Sequence, residues 1–496
     1  MKLPEPRSYW LASASPEVPP PVTGLPDVDV AVLGGGIAGI TTAYLLKRAG
    51  RTVALVEARR LLGGVTGHTT AKVSAQHGAV YAKLTDRFGA GTAAGYAAGQ
   101  LAALDWIRSE SAVLGADCEL STQDSYVYAE GTGHRDELKR EAEAAADAGL
   151  RAEYVEDVDL PYPVAGAVAV RGQAQFHPVR WLAALAAEIP GDGSYVVEGA
   201  RALGVRDGVV ATERGRLRAR DVVVATHTPF LDRGFFFARM APVRDLVVAG
   251  TPTDGQLPDG MYLSMDTRHS VRGAGSLVIV LGEHHRTGTV PDALARHEAL
   301  GRWAIERFGL AGIDYRWSAQ DNTTVDGLPF IGRYPFGGDH LWVATGFGQW
   351  GMTNGTLAGL LLSDLIMGVD NPWARIYDPV RLSVRQSAVD FARDNAEVAA
   401  HFLSDRVRAV MAGDPERLKP GEAGVFRQGI RLVAARRDEA GTLVTMSARC
   451  THLGCVVRYN NDENSWDCPC HGSRFDLDGT VLGGPAIRPL SQSSGE

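Results

Sequence analysis

The chain has no long apolar run: nowhere in its 496 residues is there an unbroken stretch of the roughly 18 apolar residues that a membrane-spanning helix requires. It has no excess of basic residues either. Its 50 Lys and Arg against 58 Asp and Glu leave a net charge of −8, a balance that gives no reason to expect nucleic acid or an anionic membrane as partner. Residues 1–26 carry one lysine and scattered prolines, without the apolar core or twin arginine of an export signal. They read as an N-terminal arm, and the protein is expected to be cytoplasmic. Cysteine is scarce, five residues in all, too few for a disulfide-built scaffold. Four of the five nevertheless crowd between positions 450 and 470, and such a cluster in an intracellular chain points to a metal site. The remainder is ordinary: 45% hydrophobic and 22% charged residues suit a soluble globular protein of two or three domains.

The chain is organised around residues 28–57. An apolar strand, Val28-Asp29-Val30-Ala31-Val32-Leu33, runs into Gly34-Gly35-Gly36-Ile37-Ala38-Gly39, then a helix to Gly50 and a second apolar strand ending at Glu57. In this setting Gly34 allows the tight turn, Gly36 lets a pyrophosphate approach the backbone, and Gly39 lets helix and strand pack closely. The helix N-terminus offers unpaired N–H groups and a positive dipole end to phosphate. An acid about 20 residues on, here Glu57, can bond ribose hydroxyls. The unit reads as dinucleotide-binding. A second candidate loop, Gly131-Thr132-Gly133-His134-Arg135-Asp136, lacks the third glycine and the following strand with its acid; it reads as a decoy turn. One dinucleotide site, with no second for a nicotinamide, favours a resident FAD over NAD.

Downstream, Gly63-Gly64-Val65-Thr66-Gly67-His68-Thr69-Thr70 can run back along the pyrophosphate toward the isoalloxazine; a plain surface loop is the alternative. Residues 82–110 and 136–149 read as helices, and 125–129 and 167–170 as strands. A helix at 179–187 follows, then short strands at 195–197 and 209–212 and an apolar strand at 221–226 that suits a buried parallel sheet. Alternating runs at 246–251, 261–265 and 276–281 suggest an antiparallel sheet roofing a pocket. Its candidates for touching substrate are Tyr262, His269, Arg272, His284 and His285, with Arg272 able to clamp a carboxylate. A buried strand at 341–345 leads to Gly346-Phe347-Gly348-Gln349-Trp350-Gly351-Met352 and a helix over 353–367. That second helix N-terminus can stabilise negative charge on a reduced flavin, and Gln349 and Trp350 are placed as flavin or substrate neighbours. Residues 379–412 read as one or two connecting helices.

Cys450-Thr451-His452-Leu453-Gly454-Cys455 precedes Cys468-Pro469-Cys470-His471-Gly472-Ser473 by twelve intervening residues. These loops supply two thiolates and two imidazoles, the donors of a 2Fe–2S centre with one iron on sulfur and one on nitrogen. Two Cys and two His also make a tetrahedral zinc site, though zinc leaves the pair Cys455 and Cys470 without a role.

From about 421 to 490 the chain resembles the Rieske domains of cytochrome bc and b6f complexes, through its C-T-H-L-G-C and C-P-C-H-G-S loops. The resemblance implies that Cys450 and Cys468 hold one iron and His452 and His471 the other. It further implies a Cys455–Cys470 disulfide tying the loops together and a Ser473 hydroxyl bonded to a cluster sulfur. Phe475 departs from the pattern, standing where the respiratory proteins usually carry a tyrosine whose hydroxyl bonds a ligand sulfur. Fewer hydrogen bonds to sulfur imply a lower potential.

Residues from about 8 to 380 resemble the D-amino-acid oxidase superfamily of FAD enzymes, which includes glycine oxidase, sarcosine oxidase and dimethylglycine dehydrogenase. The likeness lies in residues 34–39, Glu57, Thr226, Asp326-Gly327-Leu328-Pro329 and residues 346–352. The implied fold has an α/β, Rossmann-like FAD-binding part (about 27–80, 176–230 and 316–380). An α+β substrate domain with an antiparallel sheet (about 81–175 and 231–315) interleaves with it. A helical linker at 381–420 and a small all-β Rieske domain at 421–496 complete the chain. The implied FAD contacts are Gly34, Gly36, Gly39, Glu57, Thr66, His68, Thr69, Thr226, Asp326, Gly346, Gly348 and Met352. His68 aligns loosely with a histidine that some dimethylglycine dehydrogenase relatives bond to flavin; a noncovalent contact is favoured here.

Superfamily flavins oxidise C–N bonds, whereas a Rieske cluster accepts one electron at a time. Together the two parts imply a dehydrogenase that oxidises an amine or amino-acid-like substrate at FAD. Electrons would then pass singly through the 2Fe–2S cluster to an external protein or quinone acceptor. Trp350, Gln349, Arg272 and Tyr262 are expected at the reacting centre. Reverse flow, or an electron-transfer or redox-sensing protein without its own substrate, would use the same parts. A Rieske oxygenase is disfavoured, because no His-x3-His or His-x4-His pair is present for a mononuclear iron.

Overall fold

Strand Val28–Leu33 lies inside a mostly parallel sheet, and all its residues but Asp29 are buried, as expected of a strand covered on both faces. The structure is a computed structural model that describes residues 3–14, 22–381, 414–429 and 431–492. Gly215–Val224 and Val53–Val56 flank that strand in parallel. Leu341–Thr345 and Tyr195–Val197 extend the sheet, and Phe330–Arg333 closes one edge antiparallel. The turn into helix Ile37–Arg48 requires glycine twice. Gly34 has φ 114°, and a Cβ on it would lie 2.3 Å from the Ala225 carbonyl oxygen; one on Gly39 would lie 1.9 Å from that of Gly34.

The second sheet has nine strands. Its main path runs Tyr315–Thr324, Met240–Gly250, Leu277–Arg286, Ser270–Ala274, Met261–Ser264, Ser121–Ala129, Gly166–Gln175 and Lys72–Val73. Ala152–Val155 pairs beside Gly166–Gln175. All pairings are antiparallel except that of Met261–Ser264 with Ser121–Ala129. Two strands outrun their apolar signals: Met240–Gly250 takes in Arg244 and Asp245, and Leu277–Arg286 takes in His284 and His285. Tyr315–Thr324, expected with the nucleotide-binding part, pairs along its length with Met240–Gly250 and so belongs to this sheet. The expected single helix at 82–110 is two, Tyr81–Phe88 and Ala90–Leu114, separated at Gly89 with φ 86°. Helix Ala293–Phe308, whose Asp292 cap accepts from the Ala295 N–H at 3.0 Å, has no counterpart among the sequence expectations.

The expected connecting helices fall largely at residues 382–413, outside the described residues. Beyond them lie two small antiparallel sheets. Ala423–Gln428, Arg431–Arg437 and Leu443–Ser447 form one; Arg458–Asn460, Ser465–Asp467, Arg474–Phe475 and Val481–Gly483 form the other. Val425, Trp466, Phe475 and the four clustered cysteines share their core. Among the described residues no helix is long and apolar enough to cross a membrane.

Candidate active site and metal centre

A cavity of about 500 Å³ starts at the glycine turn and runs to the face of the nine-stranded sheet, a volume typical of small-molecule sites. Gly34, Gly36, Glu57, Thr66, His68, Thr69 and Thr226 line its first part. Asp245, Trp317, Gln320, Asp321, Gln349 and Met352 line its second. Glu57 is held at the end of its strand by two backbone donors, Gly35 N–H at 2.7 Å and Arg59 N–H at 2.8 Å. Thr66 Oγ1 accepts from the Ile37 N–H at 3.1 Å, which closes the downstream loop on the helix start. His68 Nδ1 donates to the Gly64 carbonyl at 2.8 Å, and burial pushes its pKa down, favouring the neutral imidazole. Bare glycine backbone at a helix N-terminus, an acid beyond it and a long cavity leading to a sheet fit a dinucleotide.

Other expected residues lie off the cavity lining. Asp326 pairs with Arg381 at 2.9 and 3.0 Å; burial would raise its pKa, but the guanidinium outweighs burial and holds it low. Gly39 and Gly346 are packing positions: a Cβ on Gly346 would lie 2.4 Å from Thr324 Cγ2. Gly348 donates its N–H to the Asn322 carbonyl at 3.2 Å. Tyr262 is buried, stacked on Tyr126 at 5.0 Å, with its hydroxyl donating to the Asp259 carbonyl. Arg272 gives its guanidinium to the carbonyls of Thr70, Ala71 and Gly273, so it faces backbone where a substrate clamp was expected. Trp350 stacks on His77, 4.8 Å between centroids at 16°. His269 packs on Trp303 at 4.2 Å, and His285 donates to the Glu283 carbonyl.

The two carboxylates of the cavity's polar wall, Asp245 and Asp321, were missed from sequence, whereas their partners His284 and Gln349 were among the expected residues. Asp245, 3% exposed, accepts from His284 Nδ1 at 2.9 Å and from the Gln349 amide. Asp321 accepts from the Gln349 N–H and from His227 Nε2 at 3.2 Å. The available signal was Arg244-Asp245 set against an apolar strand run, since a buried charge inside a sheet demands a partner or a purpose.

In the C-terminal domain Cys455 and Cys470 form the expected disulfide, with Cα atoms 6.5 Å apart. Cys468 Sγ lies within 4.8 Å of both their sulfurs, but the two bonded cysteines are spent as donors. Cys450 and Cys468 remain free and buried. The Cys468 thiol donates a hydrogen bond to Cys450 Sγ, which favours ionisation of Cys450 against the opposing effect of burial. The Ser473 hydroxyl also faces Cys450 and accepts from the Ala486 N–H at 3.0 Å. His452 Nε2 donates to Asp232 at 3.0 Å, whereas its Nδ1 is buried with no hydrogen-bond partner. The His471 ring lies 5.1 Å from that of His452, and burial depresses its pKa to about 3, leaving the neutral imidazole that a metal takes. Two thiols and two imidazoles, one with an orphaned inward nitrogen, fit a 2Fe–2S cluster.

This domain also roofs the cavity. Glu463, Arg474, Leu482, Gly483, Gly484, Ala486 and Ile487 all line it. Glu463 pairs with both Arg474 and the buried Arg244. Burial alone would raise the pKa of Glu463, but these two guanidinium groups hold it low.

The model of FAD dependent oxidoreductases matches residues 29–365. The chain belongs to that family. A Rieske [2Fe-2S] domain model matches residues 408–494. This member of the family is 37% identical to YhfW of Bacillus subtilis (strain 168), a protein named for a Rieske 2Fe-2S centre, over 98% of this chain and 97% of the relative. Its C-terminal part is 38% identical over 94 residues to the cytochrome b6-f complex iron-sulfur subunit of Synechococcus sp. (strain JA-3-3Ab), covering 19% of this chain and 45% of that subunit. Glycine oxidase from Geobacillus kaustophilus shares the fold of the flavin part, with a TM-score of 0.61 at 20% identity over 72% of this chain and 99% of that one. L-proline dehydrogenase from P. horikoshii does so at 0.59 and 17%, over 72% and 98%. The protein is therefore an FAD-dependent oxidoreductase carrying a Rieske 2Fe–2S cluster.

Proposed function

We propose that this oxidoreductase dehydrogenates an amine or amino-acid-like C–N bond in the cavity and delivers the electrons singly, by way of its own Rieske domain, to an external acceptor. One observation carries the reading: the glycine turn, the nine-stranded sheet and the iron–sulfur domain all line one cavity. When bound, FAD supplies a two-electron acceptor and the cluster a one-electron carrier. The chain's part is to bind, orient and exclude water. The glycine turn and the start of helix Ile37–Arg48 would hold the pyrophosphate, and Glu57 would bond the ribose. Asp245, supported by His284 and Gln349, stands where it can take the proton a substrate ammonium must lose before a C–N bond is oxidised. Arg474 and Glu463, paired with each other, close the cavity beneath the Rieske domain. The amino-acid oxidase and dehydrogenase folds among the structural relatives support an amine substrate.

The test is an anaerobic screen of amines and N-methyl amino acids on the protein with both groups bound. Flavin bleaching and the electron paramagnetic resonance (EPR) signal of the reduced cluster are followed together. A compound that bleaches the flavin and brings up the cluster signal is expected. If no such compound exists, or if bleaching leaves the cluster oxidised, the proposal fails.

A further inference from the structure

We infer that Gln320 is the positioning residue that couples the flavin cavity to the iron–sulfur loop, so that electrons cross within one chain while the Rieske domain stays docked. This inference rests on the proposed internal electron path and names its point of contact.

Gln320 lies on strand Tyr315–Thr324 and is 8% exposed; it and both its chain neighbours line the cavity. Its Nε2 donates to the Gly472 carbonyl at 2.9 Å, and its Oε1 accepts from the Thr287 hydroxyl at 3.1 Å. A backbone carbonyl only accepts, so the amide has one orientation. Gly472 directly follows His471, a ligand by its fit to the cluster. From the cavity wall to that ligand the path is one hydrogen bond plus the covalent bonds of adjacent residues. The contact is built for backbone: at φ 77° a Cβ on Gly472 would lie 2.5 Å from Pro242 Cβ and 2.8 Å from Gln320 Nε2.

Neighbouring charges hold the domain in place. Asp462 is buried between Arg316 and His297, whose Nδ1 donates at 2.9 Å, and Arg244 pairs with Glu463. Undocking would strand these buried groups without partners, a large cost. A mobile carrier domain would not be locked this way. For each substrate oxidised, two electrons use the contact in turn. One takes a cluster iron from ferric to ferrous, an external one-electron acceptor removes it, and the second follows as the flavin's proton goes to solvent.

The experiment uses the full chain with both groups bound and needs no amine. A laser flash with deazariboflavin and EDTA reduces the protein, and redistribution of the electron from flavin to cluster is followed by absorbance and EPR. Failure of the substrate reading therefore leaves this test intact. Gln320→Met is expected to slow the redistribution several-fold, with the cluster's EPR spectrum and midpoint potential unchanged. A merely structural role would not move that rate alone. If Gln320→Met fails to fold, Thr287→Val removes only the hydroxyl that holds the amide. Parental redistribution in Gln320→Met, or in Thr287→Val where that is the variant used, overturns the assignment.

Discussion

Phe237 stands edge-on to His471, with 5.2 Å between ring centroids and 75° between planes, and it meets His452 in the same way at 5.5 Å and 74°. A side chain of the flavin domain thus covers both imidazoles of the iron–sulfur loops and keeps water from them. Two ferric ions, two sulfides and two thiolates sum to zero charge, so the reduced cluster is an anion. Water stabilises the charged state more than the neutral one. Phe237→Ala is therefore expected to raise the midpoint potential, measured by EPR-monitored redox titration; a lower midpoint would contradict this account of the ring.

Phe475 is fully buried in the same core cluster as Cys450 and Cys468. A tyrosine at this position brings a hydroxyl able to bond a ligand sulfur, which favours the electron-rich state. Phe475→Tyr should raise the midpoint, and the same titration reads it. An unchanged value would mean that the hydroxyl finds no sulfur.

Much of this was legible because the chemistry was contiguous. Residues 28–57 hold strand, turn, helix and acid in one run, and the two cysteine loops carry their donors within a few residues of each other. What escaped was contact between distant segments. Asp245 meets Gln349 over 104 positions and Gln320 meets Gly472 over 152, and no local periodicity reports such pairs. Arg272 misled for the opposite reason. A lone arginine on a pocket-forming sheet looked like a clamp, but the nearby carbonyls of Thr70 and Ala71 claimed it first.

That capture predicts how Arg272 behaves when replaced. Burial lowers the pKa of its guanidinium to about 9, and its partners are backbone oxygens. Arg272→Met should cost stability, roughly 1–3 kcal/mol for each buried acceptor left unpaired, without selectively weakening carboxylated substrates. Urea denaturation and the KM ratio of an amine to its amino-acid counterpart measure the two effects. A KM penalty confined to the carboxylated substrate would restore the clamp.

Acid should destabilise the fold through its buried neutral imidazoles. Burial lowers His77 to about 3 and lowers His177 and His269 to about 4. Unfolded, each takes up a proton near pH 6.5, so their stabilising effect is complete above that pH and is lost as the pH falls toward these folded values. The loss amounts to roughly 1.4 kcal/mol per pH unit for each group at most. Urea midpoints should decline from pH 6.5 to 4.5, and His77→Gln should flatten the slope. A flat profile in the parent protein would show that these rings find protonated arrangements in the folded state.

On the proposed function, Asp245 takes the substrate's proton. It is buried at the cavity wall, and its partners His284 and Gln349 orient it. Asp245→Asn keeps the shape and can still bond the Gln349 amide, but it offers no proton acceptor to a substrate ammonium. Flavin bleaching by an active amine should slow by about 10²-fold or more at neutral pH. The defect should shrink as the pH approaches the amine's own pKa, where the neutral substrate is plentiful. Stopped-flow bleaching across pH separates this from a binding defect, which would depress the rate at subsaturating amine equally at every pH. A pH-independent loss would make Asp245 a binding residue and leave deprotonation to solvent.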